Sequence, residues 1–177
     1  MNPRADRLAA FLVLAAAAAA IAIAFAAEHL MGMAPCPLCL LERWPYRVAI
    51  LLSLLALLLP GRWPRPVLWL VLPVMLVAAG LAFLHLGVEH HWWPSPLPQC
   101  NAPHLDMSNL SNLMASLPAR PSKPCDAPNY LVAQVPISFV TMNFLYAVVF
   151  VVLLSVYLGS TTRGTRDDDS DDEPAAG

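Results

Sequence analysis

Apolar residues arrive along this chain in four long runs divided by polar breaks, and each run predicts a helix in lipid. Residues 8–27 carry no charge, and a spanning helix needs roughly 20 residues of this kind. A cleaved signal peptide is the rival reading of this run, since Arg4 and Arg7 precede it and Ala24-Phe25-Ala26 resembles a cleavage site. Signal cores run about 7–15 residues, so the length favours a membrane anchor. The second run is uncharged only from Val48 to Leu59, too short to cross a bilayer of about 30 Å. Its helix must begin near residue 42, drawing Glu42, Arg43, Trp44 and Tyr46 into the membrane–water interface, where Trp and Tyr concentrate and arginine snorkels. Pro45 then falls in the first helical turn, where its missing N–H is tolerated.

The segment from Pro60 to Pro66 is a tight, basic connection. Residues 67–86 make the third span, in which Pro73 needs neighbouring helices to accommodate its backbone. A polar, proline-rich loop covers about 87–134, and the fourth span runs 135–158, with Pro136 at its start and Asn143 inside it. Residues 159–177 have no apolar periodicity and read as a disordered acidic tail. The expected fold is therefore an all-α membrane protein: a four-transmembrane-helix bundle over residues 1–158 with one long loop between the third and fourth helices.

Composition agrees with lipid as the main solvent. The chain is 58% hydrophobic and 12% charged, against about a quarter charged in soluble domains. The formal charge of −2 is set by the tail, because six of the twelve acids lie in the last eleven residues. The ten basic residues form no stripe, which excludes nucleic acid as a partner. Four spans place both termini on one side, and Arg4, Arg7, Arg62, Arg65, Arg163 and Arg166 fall there, against Arg43, Arg47, Arg120 and Lys123 opposite. Positive-inside bias then puts the termini in the cytoplasm and all four cysteines on the outer side, which permits disulfides.

Those cysteines, Cys36, Cys39, Cys100 and Cys125, allow three pairings. Cys36 and Cys39 form a Cys-x-x-Cys pair at the mouth of the second helix. A bridge across so small a ring constrains the unfolded chain very little, so the pair suits two-electron exchange better than stapling. If Cys39 starts the helix, its N–H groups and dipole favour a thiolate there. Arg43, one turn on, shares the face of Cys39, whereas Arg47 lacks that spacing and reads as an interfacial anchor. Cys100 and Cys125 are read either as a loop staple, stabilising by about 3 kcal/mol, or as a second pair that shuttles disulfides. A tetrathiolate metal site and a tetraspan scaffold with structural disulfides are the non-enzymatic alternatives. His29, His85, His90, His91 and His104 specify no role, and Asn143 has the plain reading of a bond to a neighbouring helix.

Cys36-Pro37-Leu38-Cys39-Leu40-Leu41-Glu42-Arg43, Trp92-Trp93-Pro94-Ser95-Pro96 before Cys100, Cys125, and Ser138 with Asn143 together resemble the quinone-coupled disulfide bond formation protein B (DsbB) family of bacterial inner membranes. The resemblance covers nearly the whole chain apart from the acidic tail. It implies a multi-pass protein of the inner membrane that re-oxidises a periplasmic DsbA-like protein of the thioredoxin fold and passes the electrons to ubiquinone or menaquinone. On that likeness Cys36 and Cys39 are the quinone-facing pair, with Cys39 against the ring and Arg43 beside it. Cys100 is the sulfur that the soluble partner attacks, and Cys125 the one that exchanges with Cys36. The family's best-known form associates a histidine before the loop with the quinone; ungapped counting back from Cys100 lands on Gly87, so no histidine is assigned. Vitamin K epoxide reductases share the chemistry, but their loop cysteines precede the Cys-x-x-Cys, the reverse of the order here.

Overall fold

Four helices account for the four apolar runs: α1 (Pro3–His29), α2 (Pro37–Leu58), α3 (Pro64–Glu89) and α4 (Phe139–Asp171). The structure, a computed structural model, describes residues 3–60, 63–100, 123–130 and 137–171. Most of the expected loop, including His104 and Arg120, lies outside the described residues, as do residues 172–177. Among the described residues there is no strand beyond an isolated bridge between Tyr130 and Ser138, so the all-α expectation holds. By length and composition α1, α3 and α4 are long and apolar enough to cross a membrane. α2 has 22 residues but carries Glu42, Arg43 and Arg47 in its first half.

The helix boundaries differ from the sequence expectation for local reasons. α2 begins at Pro37 rather than near residue 42, because the Cys36 side chain caps it and Pro37 occupies the first turn, where proline's fixed φ is pre-organised for a helix. Pro45 consequently lies inside α2 and not in its first turn, so the Leu41 carbonyl loses its helical donor. α3 runs on to Glu89, shortening the loop. α4 begins at Phe139 rather than at residue 135: Ser138 Oγ accepts from the Thr141 N–H at 3.1 Å, an N-terminal cap that satisfies an orphan donor. At its other end α4 continues to Asp171, where the sequence reading has an unstructured tail from residue 159. Once a helix is nucleated each further residue adds a backbone hydrogen bond, so extension is cheaper than initiation.

Packing follows the rules of lipid rather than water. α1 packs on α2, α2 on α3, α3 on α4, and α1 more lightly on α3. The centre is made of small residues, with Ala10, Ala17, Ala49, Ala56, Ala78 and Ala82 all essentially inaccessible, and of Leu68, Val71 and Met75 from α3. Large apolar side chains such as Leu51, Leu58, Leu70, Leu76, Leu145, Leu153 and Val156 face outward. Lipid tails are as apolar as leucine, so there is no drive to bury these, whereas small residues let backbones approach closely. Polar side chains tie the helices across: Tyr146 donates to the Ala16 carbonyl at 2.8 Å and Tyr157 to Asp6 Oδ1 at 2.7 Å, linking α4 to α1. Each such bond is worth about 0.6 kcal/mol on average in a membrane interior, so they align helices more than they hold them together.

Candidate functional site

All four cysteines meet at one end of the bundle. Cys36, Leu38, Val88, Cys100 and Cys125 form one buried cluster, with Cys39, Leu84 and Leu97 packed against it. Cys100 closes a short 3-10 turn (Pro98–Cys100) and is bonded to Cys125. The Cys125 N–H also donates to the Cys100 carbonyl at 3.4 Å. A polar, proline-rich loop of this kind would be expected to leave the pair open to water. Instead Cys100 and Cys125 are 4% and 2% exposed, because the pair folds back onto α2 and α3. Bonding between them also removes two sulfurs from the tetrathiolate metal site considered as an alternative.

Cys36 and Cys39 are free thiols, their sulfurs 2.7 Å apart. Cys36, and not Cys39, takes the helix-capping position, its extended backbone (φ −81°, ψ 164°) turning the sulfur to accept the Cys39 N–H at 3.1 Å. Bonds from the Cys39 thiol and then from that N–H hold the Cys36 thiol below its ordinary pKa, outweighing burial, which opposes ionisation. The expectation of a thiolate at the second cysteine is therefore corrected to the first. The reason is that α2 starts before Cys39 and not at it.

A chain of buried polar groups leads away from Cys36. His85 Nε2 lies 3.5 Å from Cys36 Sγ, and His85 Nδ1 is 2.7 Å from Glu42 Oε1. The other Glu42 oxygen accepts from Asn143 Nδ2 at 2.7 Å, and Asn143 Oδ1 accepts from the Tyr46 hydroxyl at 2.9 Å. Three helices thus contribute to one network: Glu42 and Tyr46 from α2, His85 from α3 and Asn143 from α4. Ungapped counting passed over His85, which sits two residues before Gly87. The signal available was helical: His85 precedes the end of α3 by about one turn, whereas His90 and His91 lie beyond α3. Those two are exposed, His90 stacked on Trp92 and His91 at a positive φ of 57°. His29 stacks on Phe25. Glu42 and Tyr46, read as interfacial residues, are both buried.

Arg43 is buried too, with Nη2 2.8 Å from Glu28 Oε2 and its guanidinium over the Phe25 ring at 5.1 Å. The ion pair is not aligned as a hydrogen bond, and Glu28 Oε2 has no hydrogen-bond partner. Arg47 lies instead over the exposed Trp44 ring, at 5.4 Å, as an interfacial anchor does. A small cavity of about 50 Å³ opens beside this cluster. Its polar edge is Cys39, Glu42, Arg43, Tyr46 and Asn143; Ala20, Ile21 and Ala24 of α1 and Phe139 and Val140 of α4 form its apolar walls. Apolar walls with a sulfur, a cation and an amide along one edge suit a flat ring bearing carbonyl oxygens.

A free dithiol packed against a bridged pair, at one end of an all-α bundle built for lipid, defines a membrane protein of thiol–disulfide chemistry. The chain belongs to the family described as disulfide bond formation protein DsbB, whose model matches residues 6–157. It is similar to proteins named disulfide bond formation protein B from Marinobacter nauticus, 38% identical over 82 residues (46% of each chain), and Pasteurella multocida, 31% identical over 96 residues (54% of each chain). The matched region spans about half the length of these curated relatives. No solved structure matches the chain.

Proposed function

We propose that this chain is a quinone-dependent protein-thiol oxidase of the bacterial inner membrane. It re-oxidises a periplasmic DsbA-like dithiol protein of the thioredoxin fold and delivers the electrons to ubiquinone or menaquinone. The overall reaction converts one partner dithiol and one quinone into one partner disulfide and one quinol. The observation that carries the reading is the shared burial of Cys36 with the Cys100–Cys125 bridge, which puts two exchangeable pairs within a single cluster.

Thiol–disulfide exchange proceeds by thiolate attack on a disulfide sulfur through a mixed disulfide. A partner thiolate attacks Cys100 and releases the Cys125 thiolate; the partner's second thiol then frees Cys100 and leaves as a disulfide. Cys125 attacks Cys36 of an oxidised Cys36–Cys39 pair, releasing the Cys39 thiolate, and Cys100 resolves the intermediate. The loop pair is then bridged and the helix pair is a dithiol, the redox state seen here. His85 accepts the Cys36 proton, and Glu42 orients its ring and stabilises the imidazolium. The residues around the cavity fit a quinone: Cys39 would face its ring, with Arg43 and Asn143 near a carbonyl. When bound, the quinone supplies an acceptor for two electrons and two protons. Arg43 places positive charge where negative charge develops on reduction.

The test is a single turnover with the purified chain in detergent, a reduced thioredoxin-fold protein and ubiquinone, followed by thiol trapping and mass mapping. Electrons should appear first on Cys100–Cys125, then on Cys36–Cys39, and only then in quinol. Reduction of Cys36–Cys39 while Cys100–Cys125 stays bridged would make the loop bond a staple and overturn the mechanism.

A further inference from the structure

The dithiol state of this site has the composition and geometry of a soft-metal site. Cys36 Sγ, Cys39 Sγ and a ring nitrogen of His85 all lie within 4.8 Å of one another. In a tetrahedral zinc site with Zn–S of about 2.3 Å and Zn–N of about 2.0 Å, the sulfur–nitrogen edge is about 3.5 Å and the sulfur–sulfur edge about 3.8 Å. The His85 Nε2 to Cys36 Sγ distance is 3.5 Å, already that edge. The two sulfurs, at 2.7 Å, need only separate by about 1 Å to reach the other, a side-chain adjustment at the partly exposed Cys39. The histidine is also pre-set for a ligand: its Nδ1 is held by Glu42 Oε1 at 2.7 Å, and Glu42 in turn by Asn143. A carboxylate behind a ligating histidine fixes its tautomer and turns the other nitrogen to the metal.

We propose that the reduced site binds one divalent d10 cation of the zinc class through Cys36, Cys39 and His85, and that this capture arrests re-oxidation of the pair. Two thiols lose their protons and the cation joins two thiolates and a neutral imidazole, releasing two protons. No electrons move, and the +2 charge is matched by the two thiolates. Three protein ligands leave the fourth tetrahedral position to solvent. A bridged Cys36–Cys39 pair offers no thiolate, so binding is confined to the reduced state and competes with every turnover. The inference rests on the proposed function only in taking the pair to cycle through its dithiol form.

The experiment uses the full chain in detergent carrying Cys100→Ser and Cys125→Ser, so that the helix pair supplies the only thiols. After chemical reduction and removal of reductant, cadmium is titrated while the ultraviolet thiolate-to-metal band is followed, with a chelator in competition. One equivalent should bind, with none taken up after oxidation of the pair. Glu42→Gln should weaken binding by about 10- to 100-fold, the range for loss of a carboxylate behind a ligating histidine, and His85→Ala should weaken it further. Zinc-edge X-ray absorption on the same protein without a helix substitution reads the ligands directly, whatever the variants do to folding. Two sulfurs and one imidazole nitrogen are expected; a shell without imidazole, unchanged affinity in His85→Ala, or no binding overturns the proposal. With the wild-type chain, zinc should block quinone-driven re-oxidation of the reduced pair and a chelator should restore it. If metal binds with this ligand set but quinone never re-oxidises the pair, the oxidase reading fails and the metal site stands.

Discussion

At the scale of single residues, position in the first turn of α2 separates two cysteines of identical composition. Cys36 receives the Cys39 thiol and backbone N–H, and its pKa is lowered. A lowered thiol pKa means that thiolate persists to lower pH and disappears only as pH falls through that value. Alkylation of the reduced chain, mapped by mass spectrometry, should therefore show Cys36 reacting at a pH below the ordinary thiol value of about 8.5. A profile for Cys36 like that of a free cysteine would show that the capping bonds do not select it. In the proposed function Arg43 acts as a fixed charge at the cavity edge. Arg43→Ala should cut kcat/KM for quinone by up to about 10²-fold, the scale of losing one preorganised donor, while the Cys100–Cys125 bond still forms. Arg43→Lys should recover part of this, since it keeps the charge and loses the planar fork. Wild-type quinone kinetics in Arg43→Ala would leave the residue as a partner of Glu28 alone.

Between elements, the end of α3 is closed by an aromatic side chain that only glycine admits. Trp93 folds back so that its indole N–H donates to the Leu84 carbonyl at 3.1 Å, and its ring covers Gly87, where an added Cβ would overlap it. Gly87→Ala should displace the ring and cost about 1–3 kcal/mol, as overpacking does, read as a lowered melting temperature together with a changed tryptophan emission. An unaltered emission and Tm would mean the ring relaxes without cost. The segment after Trp93 leads directly to Cys100, which is buried, so the proposed attack by a partner requires this region to open. With Cys125→Ser the loop bridge cannot form, and Cys100 should trap a partner whose active site is oxidised as a mixed disulfide stable to electrophoresis without reductant. Absence of that adduct, with Cys100 still reactive to small alkylating agents, would place Cys100 outside the exchange path.

For the whole molecule the governing fact is that α1, α3 and the part of α4 from Phe139 to Ser160 are long and apolar enough for the membrane, and α2 only in its second half. Two of the three charges of α2 are absorbed in pairs and networks at the cysteine end, Arg43 against Glu28 and Glu42 against His85 and Asn143, while Arg47 stays exposed over Trp44. Ionisable groups within a span are expensive unless they face the bundle interior and are partnered, and Glu42 and Arg43 are both. The orientation proposed for the bundle rests on the basic residues near the opposite end, through positive-inside bias. Reporter fusions at Pro64 should accordingly be cytoplasmic and fusions after Asp126 exported. The reverse pattern would place the cysteines in a reducing compartment and remove the ground for disulfide chemistry.

Run length and hydropathy determined the four helices, because a bilayer sets the length of what can cross it and demands internal hydrogen bonding. The spacing of Cys36, Cys39 and Arg43 was legible for the same reason: positions within one turn share a face whatever the rest of the fold does. Contacts between residues far apart in sequence were not legible. His85 lies 49 residues from Cys36, and Asn143 lies 101 from Glu42; no local periodicity relates them. Only packing of α2 between α1 and α3, with α4 closing on α3, turned a histidine, a glutamate, an asparagine and a tyrosine into one network. The same packing buried the Cys100–Cys125 disulfide, although the sequence around it is polar and proline-rich. Which cysteine caps α2 was likewise settled by where the helix begins, a choice made by the Cys36 side chain and Pro37 and not by the hydrophobic run behind them.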